Sequence, residues 1–221
     1  MKAFADRDEA GLLLGQALAG LDPAPGPGAL VLGIPRGGVI VAAAAAGVIG
    51  ADLDVTVPAK IRAPHQPELA IGAVGPDGGV WLDAAAVAAL AIPEEVLDAQ
   101  VRAAWQEVLR RTAAFRGDRP PPSVTGRFVV LVDDGIATGA TIAAAARALR
   151  AQAPGRLVVA VPVAPGQAVR QLATEVDQVV CLASPEPFLA VGQWYQDFRQ
   201  VGDDAVQQAL SATGSKPNES L

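Results

Sequence analysis

One string of thirteen residues, VVLVDDGIATGAT at positions 129–141, constrains this chain more than any other part of it. The string opens with an apolar, β-branched run, which is typical of a central parallel strand buried on both faces. Two acids follow, and then a turn of small residues leads into an Ala-rich segment of high helical propensity. The string therefore predicts a strand, a turn and a helix in an open α/β sheet, in which ligands bind beyond the carboxyl ends of the strands.

The turn has the composition of a phosphate-binding loop. Its backbone N–H groups can converge on one anion, its hydroxyls add donors, and the following helix contributes about half a positive charge at its N-terminus. It differs from the loop of P-loop nucleotide hydrolases, because no Lys follows the Gly. The residues predicted to hold a phosphate are Ala137, Thr138, Gly139, Ala140 and Thr141.

Two adjacent carboxylates, Asp133 and Asp134, directly precede this turn. They would repel a phosphate, but an ionised carboxylate only accepts hydrogen bonds and therefore suits the neighbouring hydroxyls of a sugar. A phosphate on one side and a vicinal diol on the other describe a ribose 5-phosphate. The alternative is a polar strand end followed by an ordinary helix cap, and the complete string favours the ligand site.

The order of apolar run, two acids and T-G-x-T resembles the motif with which type I phosphoribosyltransferases bind phosphoribosyl pyrophosphate (PRPP). The resemblance implies a doubly wound, mainly parallel α/β sheet with a small C-terminal cap and a β-hairpin that bears a mobile loop. It also implies transfer of the 5-phosphoribosyl group from PRPP to an unidentified acceptor, a nucleobase or a related compound, with release of pyrophosphate. Mg²⁺ as cofactor, a role in nucleotide metabolism and a homodimer follow from the same resemblance.

Members of this family bind the pyrophosphate of PRPP with a small Gly-containing loop after the first sheet strand, and residues 34–38 (IPRGG) stand at that place. Glycine lets the backbone approach an anion closely, and a guanidinium group offers a forked set of donors. The resemblance therefore implies pyrophosphate contacts from Arg36, Gly37 and Gly38. An ordinary tight turn between strand and helix is the alternative.

The family's mobile loop follows a basic residue at the end of the second strand, and Lys60 stands there, ahead of the polar segment 62–68. Where many relatives carry Arg-Lys, this chain has Ala59-Lys60, so one pyrophosphate contact is missing, which bears on turnover more than on binding. We predict that the loop closes on the ligand. The catalytic residues that the resemblance implies are Lys60, Arg36, Asp134, Arg62 and His65, with Asp133 as a candidate Mg²⁺ ligand.

Alternating strand and helix patterns cover the chain as one domain, residues 1–210, with a cap at 184–204 and a flexible tail at 211–221. In the cap, Trp194 and Tyr195 are expected either to pack or to stack on an acceptor. Strands are predicted at 29–33, 54–61, 69–74, 80–82, 128–132, 156–163 and 178–182, and helices at 4–21, 39–48, 84–91, 93–115, 140–152 and 166–174.

Charge and composition exclude several classes of ligand. The formal net charge is −6 and no basic run exceeds two residues, so nucleic acid is excluded as a general ligand. One Cys and one His cannot build a zinc site of the usual kinds. No apolar stretch reaches the roughly 20 residues that span a bilayer, and the acidic N-terminus is unlike a secretion signal, so we expect a cytoplasmic protein without membrane partners.

Two further functions are alternatives to the transferase. A non-catalytic sensor of PRPP or ribose phosphate would use the same pocket to regulate a partner, and the Ala59 departure favours it. A serine hydrolase is disfavoured, because the sequence contains no G-x-S-x-G string.

Overall fold

The computed structural model describes residues 4–64, 66–75, 79–117 and 119–213. Its strands form two sheets, one parallel with five strands and one antiparallel with three. The parallel sheet has the order β2-β1-β6-β7-β8, and the antiparallel sheet the order β3-β4-β5. The strands are β1 Leu30–Gly33, β2 Asp52–Val55, β3 Ala59–Ala63, β4 Gln66–Val74, β5 Val80–Leu82, β6 Phe128–Val132, β7 Arg156–Val163 and β8 Gln178–Ala183.

Helices cover both faces of the parallel sheet. Neighbouring residues of one strand belong to opposite hydrophobic clusters, as with Val31 and Leu32 of β1, so the central strands are buried on both sides. The first cluster includes α1, α2 and α7, and the second includes α5 and α6. The helices are α1 Arg7–Ala19, α2 Gly37–Ile49, α3 Ala84–Ala89, α4 Glu94–Arg116, α5 Ala140–Arg150, α6 Gly166–Leu172 and α7 Asp203–Thr213, and a 3-10 turn spans Val191–Trp194.

The small antiparallel sheet packs on α4 with one of its faces. Alternate residues of β3 point to opposite sides, so that Ala59 and Ile61 join Val108 of α4 in a separate core. Lys60 and Arg62 lie on the other, exposed face of the strand. This sheet is the β-hairpin element that the family resemblance implies.

The predicted strand 54–61 is wrong, because the structure divides it into β2 and β3. Thr56 still donates its backbone N–H to Gly33 of β1, over 3.0 Å, and Pro58 follows before β3 begins. Proline has no N–H to donate to a ladder, so the chain leaves the parallel sheet there. Lys60 consequently lies in the small sheet and not at the end of the second parallel strand.

The predicted loop 62–68 is shorter in the structure. β3 continues to Ala63 and β4 begins at Gln66, so Arg62 belongs to a strand and only two residues connect β3 to β4. The closure of this loop on a ligand remains a prediction.

Both ends of the chain differ from the sequence predictions. The first helix begins at Arg7 and not at residue 4, because Asp6 caps it by accepting the backbone N–H of Glu9. The flexible tail predicted at 211–221 is wrong for its first three residues, which continue α7 to Thr213. The remainder, residues 214–221, lies outside the described residues.

The order in which successive strands are added to the sheet reverses between β1 and β6, and this positions the site. β1 and β6 are parallel neighbours, with Gly33 paired to Val132 at their carboxyl ends. From there β1 leads through α2 to β2 on one side, and β6 leads through α5 to β7 on the other. The loops that follow β1 and β6 therefore diverge around a crevice, the usual ligand position in such sheets. No helix in the described ranges is both long and apolar enough to cross a bilayer.

Candidate functional site

The predicted phosphate turn forms the rim of a small cavity. Gly139 has a φ of +78°, in the left-handed region, and is the residue that precedes the first turn of α5. Glycine has no side chain that could cap the helix, so the first N–H groups of α5 remain as donors for a ligand. The cavity has a volume of about 190 Å³ and is lined by Asp133 and residues 135–142.

The two acids have different surroundings. Asp134 Oδ2 accepts a hydrogen bond from Arg7 Nε over 2.7 Å, and the two side chains are only 16% and 11% exposed. The guanidinium of Arg7 also lies over the ring of Phe198, 3.9 Å from its centroid. Asp133, in contrast, lines the cavity of the phosphate turn, and Asp134 does not. Of the two acids predicted to hold a sugar diol, the structure brings only Asp133 to the phosphate cavity.

Burial raises the pKa of Asp133 well above its usual range, and the neighbouring charge of Asp134 raises it further. The backbone N–H of Asp134 donates to Asp133 Oδ1 over 2.8 Å, which offsets part of this effect. Burial and the charge of Asp134 thus disfavour the carboxylate form of Asp133. Hydroxyl donors or a cation would stabilise it, because each interacts best with the charged form.

The raised pKa of Asp133 makes stability depend on pH. A carboxyl group whose pKa is higher in the folded state than the value of about 3.9 in the unfolded chain stabilises the fold most below that value. This contribution is lost as the pH rises through the folded pKa. We therefore expect the gain in unfolding free energy from Asp133→Asn to be smallest near pH 4 and to increase toward neutral pH. Urea unfolding of both proteins over a pH series checks this, and a gain independent of pH would contradict the assignment.

The loop at 34–38 lies directly against the two acids. The peptide bond between Pro35 and Arg36 is cis, and α2 begins at Gly37. A Cβ atom on Gly37 would lie 1.9 Å from Asp134 Oδ2, and one on Gly38 would lie 2.8 Å from the Cα of Asp133. Both positions therefore need glycine, because the two aspartates lie too close to leave room for a side chain. The side chain of Arg36 points elsewhere, since its Nε donates to Asp203 Oδ1 over 2.7 Å at the start of α7.

We expect Gly37→Ala to be strongly destabilising, by about 2 kcal/mol or more, because the new methyl group must displace the Arg7–Asp134 ion pair. Gly47→Ala is the matched control in the same helix, since a Cβ there meets nothing within 4 Å. That control should gain about 0.5 to 1 kcal/mol from helix propensity. Chemical denaturation of both variants measures the contrast, and equal effects would show that the contact at Gly37 is unimportant.

A second cavity, of about 410 Å³, joins the two loops to the small sheet. Pro35 and Thr141 line it from the loops, and Lys60 and Arg62 line it from β3. Arg111 of α4 lines it as well, a cation that the sequence analysis missed because nothing marks one arginine among the charges of a long amphipathic helix. The structure thus brings Lys60 and Arg62 to the crevice. His65 lies outside the described residues.

The cap is a packed structure. Tyr195 is fully buried between Phe4 and Phe198, with ring centroids at 5.4 Å and 4.9 Å, and its hydroxyl donates to the carbonyl of Asp134 over 2.5 Å. Trp194 stacks on Phe188 at 6.3 Å. Of the two roles considered for Tyr195, packing is confirmed, and its ring is not available to an acceptor.

Arg7 is the main residue of the site that sequence reasoning missed. It lies 127 positions from Asp134, in a helix without a motif, so no local signal could have linked the two. Its Nη1 also donates to the carbonyl of Arg199, over 3.0 Å, in the segment that follows the cap aromatics. Arg7 therefore connects the acid pair to the cap.

The carboxylates available for a metal ion are few. Within the described ranges, no group of three or more His, Cys, Asp and Glu side chains is arranged to hold a metal. One carboxylate, that of Asp133, reaches the phosphate cavity. Such a donor set fits Mg²⁺, which keeps several waters and is commonly bound by one or two carboxylates together with substrate phosphates.

The sequence model of the phosphoribosyl transferase domain matches this chain over residues 21–188. The chain is 46% identical over 206 residues to two Mycobacterium tuberculosis proteins, each named "putative phosphoribosyl transferase": MT0597 of strain CDC 1551 / Oshkosh and Rv0571c of strain ATCC 25618 / H37Rv. The match covers 93% of this chain but 46% of each relative, so the chain spans about half the length of the curated relatives it matches.

A solved structure resembles the whole chain. The crystal structure of TT1426 from Thermus thermophilus superposes with a TM-score of 0.83 and 42% sequence identity, and the match covers 95% of this chain and 98% of that one. The fold is therefore the mainly parallel α/β sheet of the type I phosphoribosyltransferases, with an additional antiparallel hairpin sheet. The chain belongs to the phosphoribosyl transferase domain family.

Proposed function

We propose that this chain transfers the 5-phosphoribosyl group of PRPP to an acceptor of the nucleobase type, with Mg²⁺ and with release of pyrophosphate. The observation that carries the proposal is the cavity shared by Asp133 and the phosphate turn. There the free N–H groups of α5 would hold the 5-phosphate, and Asp133 would accept hydrogen bonds from the ribose hydroxyls. Membership of the phosphoribosyl transferase domain family supports the same reaction.

The adjoining cavity supports a role for the cations in binding pyrophosphate. Lys60 and Arg62 line it beside Ile34 and Pro35 of the loop that leads into α2. In the reaction, the bond between the anomeric carbon and a pyrophosphate oxygen breaks and its electron pair leaves with pyrophosphate. A bond from the acceptor nitrogen to the same carbon forms, and the acceptor proton passes to solvent. These residues would position PRPP and neutralise the departing charge.

Mg²⁺ would supply positive charge that stabilises the departing pyrophosphate. Asp133 is the residue proposed to support it, directly or through water. Asp134 would act indirectly, because its carboxylate is held by Arg7.

Thr141→Val is expected to weaken PRPP binding about tenfold or more, because it removes a hydroxyl donor at the phosphate turn, and hydrogen bonds to charged groups contribute roughly 1.5 to 3 kcal/mol. Thr125→Val is the control, since that hydroxyl donates to the carbonyl of Gln152 and lines none of these cavities. Titration calorimetry with PRPP and Mg²⁺ measures both. Equal affinities for the two variants would remove Thr141 from the phosphate site.

A non-catalytic PRPP sensor is the second candidate, and one observation favours it. The guanidinium of Arg36, predicted to contact pyrophosphate, is paired with Asp203 at the start of α7. Incubation with PRPP, Mg²⁺ and a panel of nucleobases separates the two functions. A transferase releases pyrophosphate continuously with one of the bases, whereas a sensor binds PRPP without releasing it. The cytoplasmic location and the homodimer remain predictions from the sequence.

A further inference from the structure

Another cavity, distinct from the one that Asp133 lines, borders the proposed PRPP site. It has a volume of about 670 Å³ and lies between the exposed face of the small sheet and the helices α5 and α6. This volume is within the range of about 300 to 1,000 Å³ that is usual for small-molecule sites. Thr138, Gly139 and Ala140 line it as well, so it borders the phosphate turn.

This cavity is not placed to hold the acceptor. Neither Asp133 nor Asp134 lines it, and neither does any residue of the cap. The ribose is proposed to lie against Asp133, which lines the other cavity and not this one. A ligand here would therefore accompany PRPP and would not react with it.

The lining carries three cations, Lys60, Arg147 and Arg170, against two acids, Asp83 and Glu175, and so has a net positive charge. Nine arginines of the described residues form ion pairs with carboxylates, as expected in a chain with excess acid. Lys60 and Arg170 both line the cavity and pair with no carboxylate of the described residues. Of the two acids, Glu175 binds Arg147, and Asp83 caps α3 by accepting the backbone N–H of Ala86 while it keeps its charge. The cavity therefore favours an anion.

The same walls offer a flat aromatic surface. The guanidinium of Arg147 lies over the ring of Trp81, 4.2 Å from its centroid, and both residues line the cavity. Such stacked planes bind nucleobases without sequence-specific hydrogen bonds. Lys60 and Trp81 each pair with Ala73, from opposite sides, so they lie in one row across the sheet, two strand spacings or about 10 Å apart. This spacing suits a ligand that has an aromatic ring at one end, against Trp81, and an anionic group at the other, near Lys60.

We infer that this cavity is a second ligand site, which binds a nucleoside monophosphate with its base against Trp81 and Arg147 and its phosphate near Lys60 or Arg170. Nucleotide binding here does not require turnover. The inference rests on the proposed function in one respect, because this site and the proposed PRPP site share Lys60 and the phosphate turn. Lys60 lines this cavity and the cavity proposed for pyrophosphate, and the phosphate turn borders both sites. Because one lysine serves two anions, bound PRPP should weaken nucleotide binding, and by linkage the nucleotide should weaken PRPP binding equally.

Titration calorimetry of the full chain with AMP, GMP, CMP and UMP, with and without saturating PRPP, tests the inference. At least one nucleotide should bind below about 1 mM. Saturating PRPP should weaken it by no more than about tenfold, a typical coupling. Arg170→Glu should weaken it at least tenfold, because it reverses a charge in the lining. The same charge change at Arg102, exposed on α4 and outside the cavity, should change it by less than about twofold.

Two outcomes would overturn the second site. The first is that none of the four nucleotides binds at about 1 mM. The second is a nucleotide that PRPP excludes completely and that binds Arg170→Glu and Arg102→Glu equally, since it would then occupy the PRPP site as a reaction product. The affinity for PRPP is measured in separate titrations of the same samples. Thr141→Val should weaken PRPP binding and leave nucleotide binding intact. Failure of the second site is thereby distinguished from failure of the proposed transferase.

Discussion

Asp133→Asn is expected to lower PRPP affinity about 100-fold without loss of folding stability at neutral pH. The carboxylate is proposed to accept two hydrogen bonds from the ribose, and bonds to a charged group contribute roughly 1.5 to 3 kcal/mol each. The amide keeps an oxygen for the backbone N–H of Asp134, so the local turn is retained. It also removes a buried charge, whose cost is seen in the raised pKa of Asp133.

Asp98→Asn is the control for this experiment, because Asp98 is an exposed acid on α4 and lines none of the cavities. Calorimetry with PRPP should give it the affinity of the unmodified protein. If Asp133→Asn bound PRPP equally well, the diol role would have to be reassigned. If it unfolded instead, the acid would be structural and not a ligand-binding group.

Arg7→Gln is expected to destabilise the protein by about 3 kcal/mol. Its partner Asp134 is nearly buried, and removal of one member of a buried pair leaves an uncompensated charge, which typically costs about 3 to 5 kcal/mol. The variant also loses the contact with the ring of Phe198 and so loosens the cap from the site. Chemical denaturation measures the change, and PRPP binding should weaken in parallel because Asp134 adjoins Asp133.

Arg36→Gln is a matched control for the stability measurement. Arg36 also binds an aspartate through Nε over 2.7 Å, but its side chain is 44% exposed and that of Asp203 is 53% exposed. Solvent screens such pairs, so its removal should change stability by less than about 1 kcal/mol. Similar losses for both variants would show that burial does not set the strength of the Arg7 pair.

The elements with local signals were predictable from the sequence. The strands at Phe128–Val132 and Arg156–Val163 were predicted with the observed bounds, because each is a long apolar run of β-branched residues ended by a break in pattern. The long helix α4 begins at Glu94, one residue after the predicted start at Pro93, with the acids Glu94 and Glu95 in its first turn. The turn before α5 was predictable as a structure for the same reason, because Gly139 and Ala140 are typical of a helix start, whereas phosphate binding there stays a prediction.

Features set by tertiary contacts were not predictable. The apolar sequence around Pro58 reads as one strand, and only the two sheets show that it must be divided. The separate roles of Asp133 and Asp134 depend on Arg7, which approaches from the other end of the chain. The exposed pair of Arg36 with Asp203 likewise joins residues 167 positions apart. Periodicity and motif spacing describe neighbours along the chain and carry no information on such pairs.

Calorimetric titration of the unmodified chain with PRPP, in the presence and absence of Mg²⁺, tests the central claim most directly. We expect one PRPP to bind per chain, with higher affinity when Mg²⁺ is present, and ribose 5-phosphate, which carries the same phosphate and diol, to displace it. Absence of any heat or displacement with either compound would contradict a ribose phosphate site formed by Asp133 and the turn at 137–141.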